Sequence, residues 1–240
     1  MRILKQCNYQ EVYKREIKQG ISIIEKGEKS FPNFDTCESE VFMSIGESVN
    51  SSIAFIGSAY PNDDEKELIK LYSAEALLNG YPITVRSLFG SEHSVVNGAL
   101  ISNGSIRVIL DMGLGIALKK YKQILSLIVL NSGQILSPFE SNEEYSYETK
   151  RYCDTLISNL PLLVFFSLTK REYELALSAL DKGNDIVLHR NSLKDKRARR
   201  LVAEGALVTD SFQDLLRMCS LEPKGYLYKD KEQNLLFFKV

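Results

Sequence analysis

The sequence lacks the cysteine and histidine patterns of a metalloprotein. Its 240 residues include four cysteines and two histidines, and no two cysteines have Cys-x-x-Cys spacing. Because structural zinc sites need closely spaced ligands of these types, we predict no metal site and no bound cofactor. Scattered cysteines are typical of free thiols in a reducing compartment. The four are Cys7, Cys37, Cys153 and Cys219.

The chain also lacks an excess of either charge and any long hydrophobic run. Lysine and arginine number 30 against 31 aspartates and glutamates, giving a net charge of −1. Nucleic acid would therefore have to bind through a local basic patch. No apolar run approaches the length of a membrane span, and the first residues carry charges where a signal peptide would be apolar. We expect a cytoplasmic protein without membrane contact.

Short apolar, β-branched runs alternate with helical patterns from Ser52 onward. This alternation predicts a Rossmann-like α/β fold, a mostly parallel sheet with helices on both faces. The predicted organisation is an N-terminal extension (1–50) with a helix near Tyr9 to Lys26, a Rossmann-like domain (51–220) and a C-terminal β-hairpin (221–240). Predicted helices of the domain lie near 65–78, 94–102, 119–130, 146–158, 172–181, 196–203 and 211–218.

The stretch "SSIAFIGSAYPNDDEKELIKL" runs an apolar strand into Gly57 and Ser58 and then into a helix. A turn of this kind can hold an anion, because free backbone N–H groups and the helix dipole meet there. The three acidic residues from Asp63 to Glu65 oppose a bound phosphate and equally suit a self-capped helix start. We therefore predict a weak anion site at best.

The order of elements, together with the words "FIGSA", "FGSEHSVVNGAL", "VILDMGLGI" and "RRLVAEGALVTDSFQDLL", resembles the DNA-processing protein A family (DprA, also called Smf). The resemblance covers about Ser52 to Arg217. It implies a Rossmann-like, non-catalytic protein that binds single-stranded DNA and forms a homodimer. It also implies a role in DNA processing, DNA recombination and natural competence, with the RecA recombinase as a partner that it helps to load.

The chain departs from the family pattern at polar positions. Ala59 and Phe89 stand where the family has arginines, which removes two bidentate phosphate ligands. Glu92 replaces an aspartate. Of the family's later Arg-Asn-Arg motif, Arg151 matches one arginine and Lys150 stands at the asparagine.

Two groups of cations lie near predicted strand-to-helix junctions. One is formed by the pairs that begin at Lys150 and Lys170, and the other by the basic run "LKDKRARR". Either group could follow a nucleic-acid backbone, or form an ordinary solvated helix face. His93 and His189 have no nucleophile partner in the sequence, so we predict no catalytic residue. The predicted phosphate- or nucleic-acid-binding residues are Gly57, Ser58, Gly90, Lys150, Arg151, Lys170, Arg171, Lys196, Arg197, Arg199 and Arg200.

Two other functions stay open. The related lysine-decarboxylase-like phosphoribohydrolases share the framework but carry a Pro-Gly-Gly-x-Gly-Thr-x-x-Glu segment, which this sequence lacks. A degenerate Rossmann scaffold that binds only protein partners is the other alternative, and the lost arginines favour it. For the homodimer that the resemblance implies, Leu215, Leu216 and Met218 could contact a partner copy or pack on their own sheet.

Overall fold

A nine-stranded sheet runs through the part of the chain that the computed structural model describes, residues 1–3, 21–26, 28, 31, 41–51, 53–222, 226–229 and 235–238, the last two ranges by backbone alone. Its strands are β1 (Ser22–Glu25), β2 (Val41–Gly46), β3 (Ile53–Ile56), β4 (Ile83–Val85), β5 (Ile106–Ile109), β6 (Gln134–Ser137), β7 (Leu162–Phe165), β8 (Asp185–His189) and β9 (Leu207–Thr209). The helices are α1 (Asp63–Leu78), α2 (Ser91–Ser102), α3 (Leu114–Leu130), α4 (Tyr147–Ile157), α5 (Lys170–Leu180), α6 (Lys196–Ala203) and α7 (Phe212–Met218), with a 3₁₀ turn over Arg190–Lys194.

Strands β3 to β9 are parallel to one another, in the order β6-β5-β4-β3-β7-β8-β9. Ile53 in β3 pairs with Ile83 of β4 on one side and with Leu162 of β7 on the other. The chain thus builds outward from β3 in one direction and then returns to build outward in the other. The predicted Rossmann-like, mostly parallel sheet is confirmed, and its topological switch point lies between β3 and β7.

Both faces of the sheet are covered. Phe55 faces the core formed with α1, α2, α3 and α7, whereas Ala54 and Ile56 face the core formed with α4, α5 and α6. This alternation is the period-2 geometry of a strand, and the double coverage explains why β3 and β7, in the middle of the sheet, are apolar along their whole length. The carboxyl ends of the strands form the one edge where polar loops gather.

The N-terminal region contributes two strands to the same sheet. β1 pairs antiparallel with β2, and β2 pairs antiparallel with β6. The helix predicted near Tyr9 to Lys26 is therefore wrong at its end, because Ser22–Glu25 is a strand; residues 9–20 lie outside the described residues. At the other terminus, Tyr226–Lys229 and Leu235–Phe238 form the predicted hairpin as β10 and β11.

Helix α7 does not offer its leucines to a partner. Leu215 and Leu216 are buried in the protein's own core. Of the three residues considered for a dimer contact, Met218 alone is exposed. Of the two arrangements open from the sequence, packing on the chain's own sheet is the one observed. The expected homodimer stays a prediction, but these two leucines do not supply its contact surface.

Candidate nucleic-acid interface

Two backbone donors of the Ser58 turn have acceptors within the protein. The N–H of Ser58 donates to Ser167 Oγ at 2.9 Å, and the N–H of Tyr60 donates to Ser58 Oγ at 3.0 Å. Helix α1 begins only at Asp63, where the Asn62 side chain accepts the N–H of Glu65 at 2.8 Å. The helix start is therefore self-capped and acidic, and it is displaced from the turn. These contacts leave fewer free donors for an anion at the turn, and the weak anion site stays a prediction.

Gly57 and Gly90 allow two loops to approach closely. A Cβ on Gly57 would lie 2.5 Å from Ser91 Cβ, and a Cβ on Gly90 would lie 2.7 Å from both Ala59 Cα and Ser58 O. Gly90 also has a φ of +67°, a backbone conformation that residues with a side chain rarely adopt. The two glycines lock the loop after β3 against the loop after β4.

Replacing Gly90 with alanine should destabilise the fold by about 1–3 kcal/mol more than the same change at Gly183. Both positions have positive φ, but a Cβ on Gly183 has no neighbour within 4 Å. Gly183→Ala thus measures positive-φ strain without a clash, and the difference between the variants measures the clash with the Ser58 loop together with the added strain of ψ −135° at Gly90. Urea denaturation of both variants gives the comparison, and equal losses would mean that the two loops are not tightly packed.

Arg86 lies directly after β4 and is 1% exposed. Its guanidinium contacts three carboxylates, each from a different helix. Nε donates to Glu92 of α2 at 2.9 Å, Nη2 donates to Glu172 of α5 at 2.8 Å, and Nη1 pairs with Asp154 of α4. Asp154 also accepts from Arg171 Nε at 2.6 Å. We call these five residues the Arg86 cluster.

The charged groups of the Arg86 cluster shift one another's pKa values. Burial alone would lower the pKa of Arg86, but Asp154, Glu92 and Glu172 outweigh it and raise that pKa. For Glu92, burial is the larger effect, and its pKa is raised despite the contact with Arg86. Burial also raises the pKa of Glu172, but Arg86 and a hydrogen bond from Thr169 reverse this, and the net pKa is lowered.

The Arg86 cluster lies beside the switch point of the sheet. Ligands in open α/β sheets bind in the crevice where the strand order reverses. Here Arg86 joins α2 on one face of the sheet to α4 and α5 on the other, and each of its three guanidinium nitrogens contacts a carboxylate. Arg86 therefore serves as a structural cation that joins three helices.

An open groove of about 1350 Å³ lies farther out along the carboxyl edge. Its walls are the first turns of α1, one side of α2 and the middle of α3, where Tyr121 has non-helical φ of −125° and ψ of 24°. We call it the edge groove. Its lining includes Tyr60, Lys66, Lys70, Phe89, His93, Lys119, Lys120, Tyr121, Lys122 and Leu127.

The lysines of the edge groove fall into two kinds. Lys66 and Lys70 pair with Asp63 at 2.7 Å and Glu67 at 2.6 Å along α1. The three lysines of the α3 kink are exposed, and no carboxylate of the described residues lies within ion-pair distance of them. These are Lys119, Lys120 and Lys122. The kink thus presents uncompensated positive charge to the groove.

A smaller pocket of about 260 Å³ continues from the groove toward the sheet. We call it the inner pocket. The residues that line both cavities include Tyr60, Phe89, Lys120 and Tyr121. The polar residues that line only the inner pocket are Ser87, Asp111, Tyr145 and Lys150. Burial raises the pKa of Asp111, and burial together with Arg171 and Arg86 lowers the pKa of Lys150. Lys150 is the one sequence-predicted cation that reaches this pocket.

The other sequence-predicted cations lie elsewhere along the carboxyl edge. Arg151 and Arg171 line a separate pocket of about 180 Å³ between α4 and α5, and Arg171 is held by Asp154. Lys170 is exposed at the start of α5. The cations of the basic run lie on α6, which follows β8, the third strand along the sheet from β4. There Arg197 pairs with Asp195 at 2.6 Å. In α6, Lys196, Arg199 and Arg200 are exposed.

His189 and Cys153 are buried in the interior of the protein. His189 is packed among aromatic rings, accepts the N–H of Asn191 and contacts the carbonyl of Asp210 at 3.3 Å; burial lowers its pKa. Cys153 is fully buried, and burial raises its pKa. Across the described ranges no group of histidine, cysteine, aspartate and glutamate is arranged to hold a metal ion. Among those same residues no helix has the length and apolarity to cross a membrane.

No protein-family model matches the chain, and no curated protein matches it in sequence. Solved structures do match. DNA processing protein A of Streptococcus pneumoniae aligns with a TM-score of 0.73 over 87% of this chain and 77% of its own, at 16% identity. The chain has the DprA fold. The Helicobacter pylori protein, which binds single-stranded DNA, aligns with a TM-score of 0.69 over 83% of this chain and 95% of its own, at 17% identity.

The likeness to other proteins is looser. The molybdenum cofactor binding protein of Rippkaea orientalis aligns with a TM-score of 0.51 over 70% of this chain and 94% of its own, at 11% identity. Structural alignments at identities this low establish the DprA fold. The activity has to be argued from the site. Ala59 and Phe89 lie in the two loops that meet beside the edge groove, and both line it.

Sequence reasoning missed the residues that dominate this edge. Arg86 follows a buried strand in "YPITVRS", and that position was a usable signal for a residue at the carboxyl edge. Tyr60 was overlooked although it follows the strand "IAFIG". The lysines of α3 were read as part of a continuous helix, and nothing local in "ALKKYKQ" marks the kink at Tyr121.

Proposed function

We propose that the protein binds single-stranded DNA without catalysing a reaction on it. The observation that supports this best is the edge groove, an open channel at the carboxyl edge of the sheet with uncompensated lysines on α3. Phosphates bind to such lysines by releasing condensed counterions, a contribution that does not depend on base sequence. The DprA fold, shared with a protein that binds single-stranded DNA, supports the same conclusion.

The sequence-predicted cations extend this proposal. Lys150 in the inner pocket adds a contact beside the groove, and the exposed cations of α4, α5 and α6 offer a second positive surface on the other side of the switch point. A strand held in the groove could continue along that surface. In this arrangement the Ser58 turn and Gly90 shape the edge, and they do not themselves carry the affinity.

Titration of labelled oligo(dT) at several salt concentrations tests the proposal. With four or five lysine contacts, log K should fall linearly with log salt with a slope of about −3. Fluorescence anisotropy measures both the affinity and the slope. Absence of binding at about 50 mM salt, or binding that does not change with salt, would contradict the proposal.

A scaffold that binds only protein is the second candidate, because the guanidinium of Arg86, beside the switch point, is already paired with carboxylates of the protein. The phosphoribohydrolase alternative would require release of the base from a nucleoside monophosphate. The assays separate the three functions: a salt-dependent oligo(dT) complex supports the first, base release supports the enzyme, and neither result leaves the scaffold.

A further inference from the structure

Two aromatic rings stand at the junction of the edge groove and the inner pocket. Tyr60 is 85% exposed and Phe89 is 53% exposed, although large apolar side chains normally avoid solvent. Their ring centroids lie 6.0 Å apart at an interplanar angle of 87°. An edge-to-face pair uses only part of each ring, so ring faces stay available to a ligand.

The loops that carry these rings are held rigidly. The N–H of Tyr60 donates to Ser58 Oγ at 3.0 Å, and the N–H of Phe89 donates to Ser87 Oγ at 3.2 Å. The tight packing of Gly90 on Ala59 then joins one loop to the other. The rings are therefore positioned before a ligand arrives, which reduces the entropy that binding must remove.

The surroundings of the rings select the kind of ligand. Lys120 lines both cavities beside the rings, and Lys119 and Lys122 line the groove next to it. A purely apolar partner would leave these charges without counterions. A ligand with flat apolar faces and an attached anionic chain satisfies both the rings and the lysines, and an unpaired nucleotide in a strand has this chemistry.

We infer that Tyr60 and Phe89 form a base-stacking platform at the mouth of the inner pocket, so that the edge groove selects unpaired bases over duplex. The inference rests on the proposed function. Stacking requires that a base leave its helix, whereas phosphate contacts alone do not discriminate in this way. The inner pocket behind the platform, with the polar groups of Ser87, Asp111 and Lys150, is the place for an edge of the stacked base.

The test compares oligo(dT) with an abasic oligomer of the same length and charge. Wild-type protein should bind oligo(dT) at least about tenfold more tightly than the abasic strand. The double change Tyr60→Ala and Phe89→Ala should remove this preference and leave affinity for the abasic strand unchanged. The matched control is Ile101→Ala with Leu130→Ala, two exposed apolar side chains outside both cavities, which should keep the preference.

A direct readout is available because the chain contains no tryptophan. Phe89→Trp places a single indole in the platform, and its fluorescence should be quenched by oligo(dT) and not by the abasic strand. Equal wild-type affinity for both strands would overturn the platform while the proposed function stands. The platform would also be overturned if the double variant lost affinity for oligo(dT) and for the abasic strand equally. If wild-type protein bound neither strand, both the platform and the proposed function would be overturned.

Discussion

Replacing Arg86 with methionine is expected to lower the free energy of unfolding by about 3–5 kcal/mol. Methionine keeps a long side chain in the same space but leaves Glu92 and Glu172 buried without their counterion. The cost arises because a carboxylate that is desolvated and unpaired is far less stable than the same group in water. Urea denaturation followed by circular dichroism measures the loss.

The pH dependence of this loss identifies its cause. Without Arg86, burial would raise the pKa of both glutamates in the folded state above that in the unfolded chain. The folded variant then binds more protons than the unfolded one, so its stability rises as the pH falls. The difference from wild type should therefore be largest at about pH 8 and smaller at about pH 5.

A matched control is Arg190→Met. Arg190 pairs with Asp210 at 2.6 Å, but this pair is exposed, and exposed pairs contribute little. Its removal should change stability little at either pH. If Arg86→Met were as mild as Arg190→Met, or if its effect grew as the pH fell, the Arg86 cluster would not be the electrostatic tie that its geometry indicates.

The central fold could be predicted because its signals are local. In "IAFIG" and "LLVFF" a run of apolar residues is enough to mark a strand covered on both faces, and the helix over Lys196–Ala203 is observed at its predicted bounds. β2 was missed because its place depends on pairing with β6, about ninety residues later. The apolar run "VFMSI" alone does not specify a partner strand.

The site could be predicted only in part, because its contacts are not local. Arg86 lies only six residues before Glu92, but the two other carboxylates that Arg86 contacts, Asp154 and Glu172, lie 68 and 86 residues beyond it. Arg171 was predicted to be a nucleic-acid ligand, yet one contact with Asp154, 17 residues earlier, ties it into the Arg86 cluster. Charge in a sequence therefore shows where cations exist, and only packing shows which of them stay uncompensated.

Neutralising the three lysines of the α3 kink with Lys119→Gln, Lys120→Gln and Lys122→Gln is expected to weaken oligo(dT) binding about a hundredfold at about 0.1 M salt. Each phosphate contact to a single strand contributes about 0.7 to the slope of log K against log salt, which is about fivefold per lysine at this concentration. The slope itself should become shallower by about 2. Because all three side chains are exposed, the fold should be unaffected.

Two comparison variants separate this groove from the other surfaces of the edge. The double change Arg199→Gln and Arg200→Gln should weaken binding by at most about 25-fold, because it removes two cations at about fivefold each and leaves the Arg197–Asp195 pair intact. Ser58→Ala should alter binding less than twofold, because the turn uses its donors within the protein. If the α6 variant proved the more damaging, the strand would follow the second positive surface and the groove would be secondary. If Ser58→Ala abolished binding, the turn beside Gly57 would be the anion site after all.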